Sequence, residues 1–573
     1  MRPTRGGPNP SFKARVYVAF GLLAFAASAL VARAIELQLV QNDFLISQGD
    51  QRHLREVTVP AHRGVIFDRN GEPLAVSTPV ESVSVRPAQL GTDPEQWSQL
   101  AVALNRPENV MHEQLSALQG RPYAYLGRHM NPADTRAVRE LDLPGIEVNR
   151  EFRRYYPSGE VAGHLLGFNN IDDVGQEGIE LNYDHWLAGD DGRKRVLQDN
   201  KGRHIEDVDS LLPAVPGRDL TLSIDMRIQY LAYRELKAAI RDQQAASGSM
   251  VVLDVTTGEV LAMVNQPGFN PNDRSQMQPN AYRNLAAVDM LEPGSSIKPF
   301  VMAAALESGK YNENSQVDIH EGFVKVGTKV ITDEHPLGIA SLSTILAKSS
   351  NVGMSKIGLS LEPRQLYGIM RGLGFGQTTG SGFPGESQGK LNKVEDWRPM
   401  GIASLSYGYG LSVTPLQLAH AYATIGAGGL SRPISLLRVD QPVQGTRIVS
   451  DSTARKLIGL LETVITPAGT GKQAAIAGYR VAGKTGTARR VLNGVYADHH
   501  YVGVFGGMAP ATNPRLAAVV VITDPRAGQY HGGEVSAPVF SAVMGGALRL
   551  MGIAPDDATA KDPAAPAQTL VSR

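Results

Sequence analysis

Val16 to Ala32 ("VYVAFGLLAFAASALVA") is 17 residues without a charge, and no second run of that kind follows. A helix of that length reaches about 26 Å at 1.5 Å per residue, just short of a hydrocarbon core of about 30 Å. Arg33 can snorkel at the far end and close the gap. Arg2, Arg5, Lys13 and Arg15 come first, a bias that keeps the N-terminus cytoplasmic and exports the rest. The pattern predicts a cytoplasmic tail over 1–15 and an uncleaved anchor over 16–35, with Asn42 onward outside. Two other readings stay open: a signal peptide cut after "ASA" (Ala27–Ala29) or "ARA" (Ala32–Ala34), and a buried helix.

Beyond the anchor the apolar period keeps changing. "RGVIFDRNGEPLAVS" (Arg63–Ser77) reads as strand, turn at Asn70-Gly71, strand. "PGIEVNREFRRYYPSGEVAGHLLGF" (Pro144–Phe168) reads as strand, turn and helix. "DDGRKRVLQDNKGRHIEDV" (Asp190–Val208) interleaves both signs of charge and predicts a solvated hairpin. A boundary falls near Pro216-Gly217. "DLTLSI" then predicts a strand, and Asp225 an N-cap for a helix through about Gln244. Ile228, Leu231, Ala232, Leu236, Ala239 and Ile240 recur along it with a helical period. "SMVVLDVTTGEVLAMVNQ" (Ser249–Gln266) is a hairpin around Thr257-Gly258. A mostly helical middle follows. "YVGVFGGMAP" and "LAAVVVITDP" are buried-strand runs, and "SAPVFSAVMGGALRLMGI" (Ser536–Ile553) is a helix. The fold class is α+β: a mixed α/β region over 36–216, then an antiparallel sheet flanked by helices, with a helical insert, over 217–553. The stretch 554–573 is rich in Ala, Pro and Asp and predicts a disordered tail.

Composition narrows the chemistry. The 573 residues carry 56 basic and 56 acidic side chains, so no global field draws nucleic acid. With no cysteine there is no disulfide, thiolate zinc site or thiol nucleophile. The 13 histidines show no His-Glu-x-x-His spacing, and His499-His500 reads as a solvated pair before a strand. No metal or cofactor is called for.

Residues 291–300 read "LEPGSSIKPF". A Ser-x-x-Lys such as Ser295 and Lys298 is common by chance, and its plainer reading is the polar start of a helix. Pro299 is tolerated only near a helix start, and "FVMAAALESG" is apolar enough for a buried helix. Ser295 is therefore expected at the N-terminus of a core helix, near the positive end of its dipole, with Lys298 one turn on along the same face. Burial favours the neutral amine, a proton acceptor beside a hydroxyl. Downstream lies Ser349-Ser350-Asn351, whose hydroxyl can shuttle a proton and whose amide can hold a carbonyl or orient a lysine. "GKTGTARR" supplies Lys484, Thr485, Gly486 and Thr487 on a predicted strand leading to a hairpin at Asn493-Gly494. Such a strand can offer a backbone N–H to an oxyanion and hydroxyls to a carboxylate. Thr485 and Thr487 share one of its faces.

Ser-x-x-Lys, a Ser-x-Asn-like element and Lys-Thr-Gly, in this order, are the signature of penicillin-binding proteins and related serine β-lactamases. The chain resembles a class B penicillin-binding protein from the anchor to the C-terminal helix. "RGVIFDRNGEPLA", "RRYYPSGEVAGHLLGF" and "GQEGIELNYDHWLAG" resemble that family's non-catalytic pedestal, and "EPGSSIKPF", "KSSNVG" and "GKTGTA" its three active-site motifs. "SYGYGLSVTPLQLAHAYATI" (Ser406–Ile425) resembles the division-specific branch, penicillin-binding protein 3. The resemblance implies a pedestal over 36–216 and a transpeptidase domain over 217–553 that cross-links stem peptides of septal peptidoglycan and is acylated by β-lactam antibiotics. It implies Ser295 as nucleophile, Lys298 as base, Ser349 as proton shuttle and Asn351 as a contact to the donor amide. Lys484, Thr485, Gly486 and Thr487 would make the carboxylate site, with the backbone of Ser295 and Thr487 as oxyanion hole. Tyr407 and Tyr409 would wall the cleft. It further implies a single-pass inner-membrane protein with a periplasmic catalytic domain, partnered by a membrane-embedded division glycosyltransferase and other division proteins. "YRNLAAVDM" departs from the family, which has Asn-Arg-Ala where this chain has Asn284-Leu285-Ala286.

Rival readings are a penicillin sensor or scaffold without turnover, a D,D-carboxypeptidase and a β-lactamase. The intact motifs favour an enzyme, and the pedestal and anchor favour wall synthesis. Gly478 to Thr485 also spells G-x-x-x-x-G-K-T, with Asp524 ending a candidate acidic strand. Tyr479, Arg480 and Val481 inside that loop, and a strand rather than a helix after it, argue against a nucleotide site.

Overall fold

The computed structural model describes residues 10–42, 44, 54–199, 204–273, 275, 280–492 and 494–557. Asn493 of the expected hairpin turn, the first nine residues of the expected cytoplasmic tail and the expected disordered tail from residue 558 lie outside the described residues.

The N-terminal helix runs Pro10–Ile35 and starts six residues before the charge-free run, because Lys13 and Arg15 are as helix-compatible as the apolar residues. Phe12, Tyr17, Phe20 and Phe25 are each at least 67% exposed, so this is not a core helix. The apolar stretch Phe12–Val40 is long enough to cross a membrane.

The chain divides into two compact units. One gathers 79–153 and 189–216 with the stretch through His62. Its core is Val83, Val85, Trp97, Leu100, Met111, Leu115, Leu126 and Val138. The predicted solvated hairpin is present as strands Gly192–Gln198 and His204–Leu212. A third strand, Leu54–Val59, pairs alongside and was not predicted.

The second unit joins 63–78 and 154–188 to everything from Gly217 onward. Its centre is a five-stranded antiparallel sheet: β1 (Ser247–Asp254), β2 (Val260–Gln266), β3 (Ala482–Leu492), β4 (Val495–Ala509) and β5 (Leu516–Thr523), in spatial order β2-β1-β5-β4-β3. Because side chains alternate along a strand, the sheet has two apolar faces. Met250, Val252, Val520 and Ile522 pack on helices α1 (Met226–Asp242) and α5 (Ala537–Leu550). Val251, Leu253, Val519 and Val521 face the other way, into the core that holds α2 (Lys298–Glu307), α3 (Asn351–Ser360) and α4 (Pro415–Gly426). Asp225 caps α1 as expected, accepting from Arg227 N, and buried Gln229 ties α1 to the sheet through Met263 N and O. The strand expected over 219–224 is only Leu220–Thr221, parallel to Ile66–Phe67. Within the middle segment the structure adds one small hairpin, Phe323–Val326 with Lys329–Thr332, enclosed by a second antiparallel pair, Gln316–Ile319 with Gly338–Ser341, neither of which the sequence announces.

Three of the stretches quoted above meet in one buried network. Glu180 accepts from Arg63 Nε at 2.9 Å and from Arg154 Nε at 2.6 Å, and all three side chains are fully buried. Arg63 also reaches Asp184 at 2.8 Å, and Arg154 reaches the carbonyl of Gly64. One carboxylate thus answers two buried guanidinium groups, and removing it leaves both without their shared counter-charge. Glu180→Ala should cost about 3–5 kcal/mol of unfolding free energy, measured by denaturant titration. A loss under about 1 kcal/mol would show that the network does not hold this unit together.

Candidate active site

Ser295 sits in a 3-10 turn, Gly294–Ile297, and α2 starts at Lys298 itself. The expected helix N-terminus is therefore tighter than an α-turn. In a 3-10 turn residues three apart eclipse, which puts Ser295 and Lys298 on one face. Ser295 is half-buried, while Lys298 has no exposed surface. No hydrogen bond joins the two among the described residues. Such bonds are often long before a substrate is bound.

The Lys298 amine meets the second motif instead. Its Nζ lies 2.5 Å from the Ser349 carbonyl, 3.1 Å from Ser349 Oγ and 2.8 Å from Asn351 Oδ1. Ser349 links the helix Leu342–Ala347 to α3 and adopts φ +60°, a left-handed conformation uncommon for a residue with a Cβ. That turn lets both its carbonyl and its hydroxyl face Lys298. Burial pushes the Lys298 pKa well below the ordinary 10.5; repulsion from Lys484 adds to this, and the Asp333 carboxylate opposes it.

The third motif lies on edge strand β3. Lys484 is also fully buried, with Nζ 3.1 Å from the Thr485 carbonyl and 3.2 Å from Thr485 Oγ1. Burial lowers its pKa to about 7. Thr485 Oγ1 is 2.8 Å from Thr470 Oγ1, and Thr487 Oγ1 accepts from Gly532 N at 3.1 Å. A Cβ on Gly486 would stand 2.6 Å from the Pro293 carbonyl, so only glycine lets β3 lie against the Ser295 turn. Gly408 is pinned in the same way, 1.9 Å from the Gly294 carbonyl for an added Cβ, and Gly294 N donates to Gly408 O. The "YGYG" stretch is thereby seated on the Ser295 turn. The Tyr407 and Tyr409 ring centroids are 5.6 Å apart.

Three residues of this region, Tyr496, Thr470 and Asp333, carry no sequence signal, while a fourth, Glu292, lies inside the first motif. Tyr496 packs edge-on to Tyr409 and donates to Glu292 Oε2 at 2.9 Å, while Glu292 Oε1 accepts from Gly410 N. Thr470 arrives from a loop 15 residues before its partner Thr485. Asp333 accepts from Asn351 N. At the departure noted above, Arg283 pairs with Asp289, and Leu285 opens a short helix. The nucleotide-site reading fails on structure: Gly483 to Thr485 lie inside a β-strand, and Asp524 pairs with Arg490 and His500. His500 lies within β4 facing that carboxylate, so the pair at 499–500 is not simply solvated.

Two family models match the chain: a penicillin-binding protein transpeptidase domain over residues 248–545, and a penicillin-binding protein dimerisation domain over 58–222. The peptidoglycan D,D-transpeptidase FtsI of Escherichia coli K12 is 43% identical over 98% of this chain and 96% of its own. The probable peptidoglycan D,D-transpeptidase PenA of Neisseria meningitidis is 40% identical over 94% of this chain and 93% of its own. Among solved structures, penicillin-binding protein 3 of Mycobacterium tuberculosis, complexed with aztreonam, superposes with TM-score 0.68 at 27% identity over 87% of this chain and 98% of that one.

Burying Lys484 has a thermodynamic signature. Its folded pKa of about 7 lies below the 10.5 of the unfolded chain, so between these values the unfolded state binds more protons. The resulting penalty is full below pH 7, shrinks by about 1.4 kcal/mol per pH unit above it, and vanishes beyond 10.5. Lys484→Met removes it. The variant should unfold at higher denaturant than the parent at pH 6, with the gap closing toward pH 10. A variant less stable at every pH would show that the lysine is not desolvated.

Proposed function

The chain belongs to the class B penicillin-binding proteins, of the FtsI or penicillin-binding protein 3 type, and from that premise we propose how its active-site residues divide the work. The protein is a peptidoglycan D,D-transpeptidase: it cross-links stem peptides through a serine acyl-enzyme, and β-lactams are its inhibitors. In our reading Ser295 attacks the carbonyl of the penultimate D-alanine, and neutral Lys298 accepts the hydroxyl proton. The oxyanion that forms is held by the backbone N–H groups of Ser295 and Thr487. Ser349 passes a proton from Lys298 to the departing D-alanine amine, and Asn351 holds the donor amide. Lys484, Thr485, Gly486 and Thr487 form the seat of the terminal carboxylate, and Tyr407 and Tyr409 wall the cleft. An acceptor amine then takes the place of the first leaving group and resolves the ester.

The observation that carries this reading is the buried Lys298 amine, within hydrogen-bond reach of Ser349 Oγ and Asn351 Oδ1 and one 3-10 turn from Ser295. Burial deprives the amine of its usual reason to stay charged, which suits a base. Lys484 keeps a cation available near pH 7, which suits carboxylate binding. The same premise supports the domain division 1–15, 16–35, 36–216, 217–553 and 554–573. It supports a single-pass inner-membrane anchor with the catalytic domain periplasmic, work at the septum, and a membrane-embedded division glycosyltransferase and other division proteins as partners.

The test is acylation by a labelled penicillin alongside analysis of products from stem-peptide substrates. Ser295→Ala should take up no label. Lys298→Arg keeps the charge but cannot accept a proton, so acylation should slow by about 10²–10⁴-fold. The wild type should yield cross-linked dimers. Wild-type acylation by Lys298→Arg would remove the lysine from the role of base. Trimmed peptides alone would turn the reading toward a carboxypeptidase.

A further inference from the structure

We propose that Asp333 is a positioning residue for acyl transfer: its carboxylate clamps the N-terminus of α3 and so holds the Ser349 and Asn351 oxygens against the Lys298 amine. The inference rests on the reading of Lys298 given above. Asp333 follows the short strand Lys329–Thr332, which pairs with Phe323–Val326, and its own N–H donates to the Gly322 carbonyl. Ile331, two residues earlier, is buried against Ala403 and Val326 and fixes this hairpin.

From that mount Asp333 Oδ1 accepts from Asn351 N at 2.6 Å and Val352 N at 3.2 Å, and Oδ2 accepts from the Ser350 hydroxyl. Ser350 Oγ in turn caps Gly353 N at 2.8 Å. Three successive N–H groups at the start of α3 therefore end on two side chains, and an anion sits at the positive end of the helix dipole. Ser349 immediately precedes this clamped turn in its left-handed conformation. A residue with a Cβ stays in that region only where its surroundings over-determine it. Asp333 supplies that constraint from a separate hairpin, and it also faces Lys298 electrostatically, where Lys484 is the opposing charge. Asp333 touches neither Lys298 nor Ser295, so it acts through α3.

The experiment resolves acylation by a fluorescent penicillin into its binding constant and its acylation rate constant. Asp333→Ala should lower the rate constant at least tenfold while the binding constant stays within about threefold. Asp333→Asn, whose amide oxygen can still accept from Asn351 N and Val352 N, should recover most of the rate. A residue that only stabilised the fold would lower the melting temperature and leave the rate constant of the folded fraction unchanged. Should the alanine variant not fold, Asp333→Ser, which lacks the second oxygen and the reach, is measured the same way. A wild-type rate constant in the alanine or serine variant overturns the proposal. An asparagine variant as slow as alanine also overturns it, because the effect would then belong to the charge and not to the clamp. A wild-type protein that takes up no label would instead fail the reading of the site itself.

Discussion

Two fully buried lysines in one cleft are the constraint around which this molecule is organised. Lys298 and Lys484 repel each other, both lie out of water, and no carboxylate touches either amine among the described residues. An isolated buried ammonium is expensive, and the usual escape is to give up the proton. The site uses that escape: desolvation pushes both amines down, Lys484 to about 7 and Lys298 well below the ordinary 10.5, where the Lys484 charge adds to the effect and the Asp333 carboxylate opposes it. Lys298 is left with an amine that gives up its proton easily, and Lys484 with one that titrates near neutrality. A surface pair would behave as two ordinary cations, so the chemistry depends on how completely the fold keeps water away.

That exclusion is built by apolar packing and close backbone contacts. Every side chain of α2 from Lys298 to Leu306 is buried, so the Lys298 amine is mounted on a stretch of helix with no solvent face. Phe300 packs on Phe375 and Tyr422, and the Tyr422 hydroxyl donates to the Ser296 carbonyl, fixing the turn from below. From the side, glycines at 486 and 408 let β3 and the "YGYG" stretch approach within distances a Cβ would forbid. The Arg63–Glu180–Arg154 network serves the same compact unit, since it fixes the segments 63–78 and 154–188 on which part of that core rests.

Much of this was legible in the sequence, and the reason is local. Ser295 with Lys298, Ser349 with Asn351, and Lys484 to Thr487 are each set within four residues, so each motif can be read without knowing where the others lie. The hairpin at Thr257-Gly258 and the cap at Asp225 are local in the same sense. Asp333, Thr470 and Tyr496 are not. Each acts on a residue 15 or more positions away, or across a ring contact that only the fold creates. The strand Leu54–Val59 was missed because its partner begins at Gly192, and "LREVTV" without that partner has no clean alternation. Ser349's left-handed turn was invisible because the letter serine predicts the opposite.

The central claim, that burial leaves Lys298 with an amine ready to accept a proton, can be measured directly on the protein. Carbon-13 at the ε position of lysine reports the charge of its own nitrogen, and the Lys298 signal is identified by its loss in Lys298→Arg. In a pH titration of the folded wild type, that signal should change midway at a pH well below 10.5, with the Lys484 signal moving near 7. A Lys298 signal that titrates at 10.5 together with the surface lysines would contradict the account.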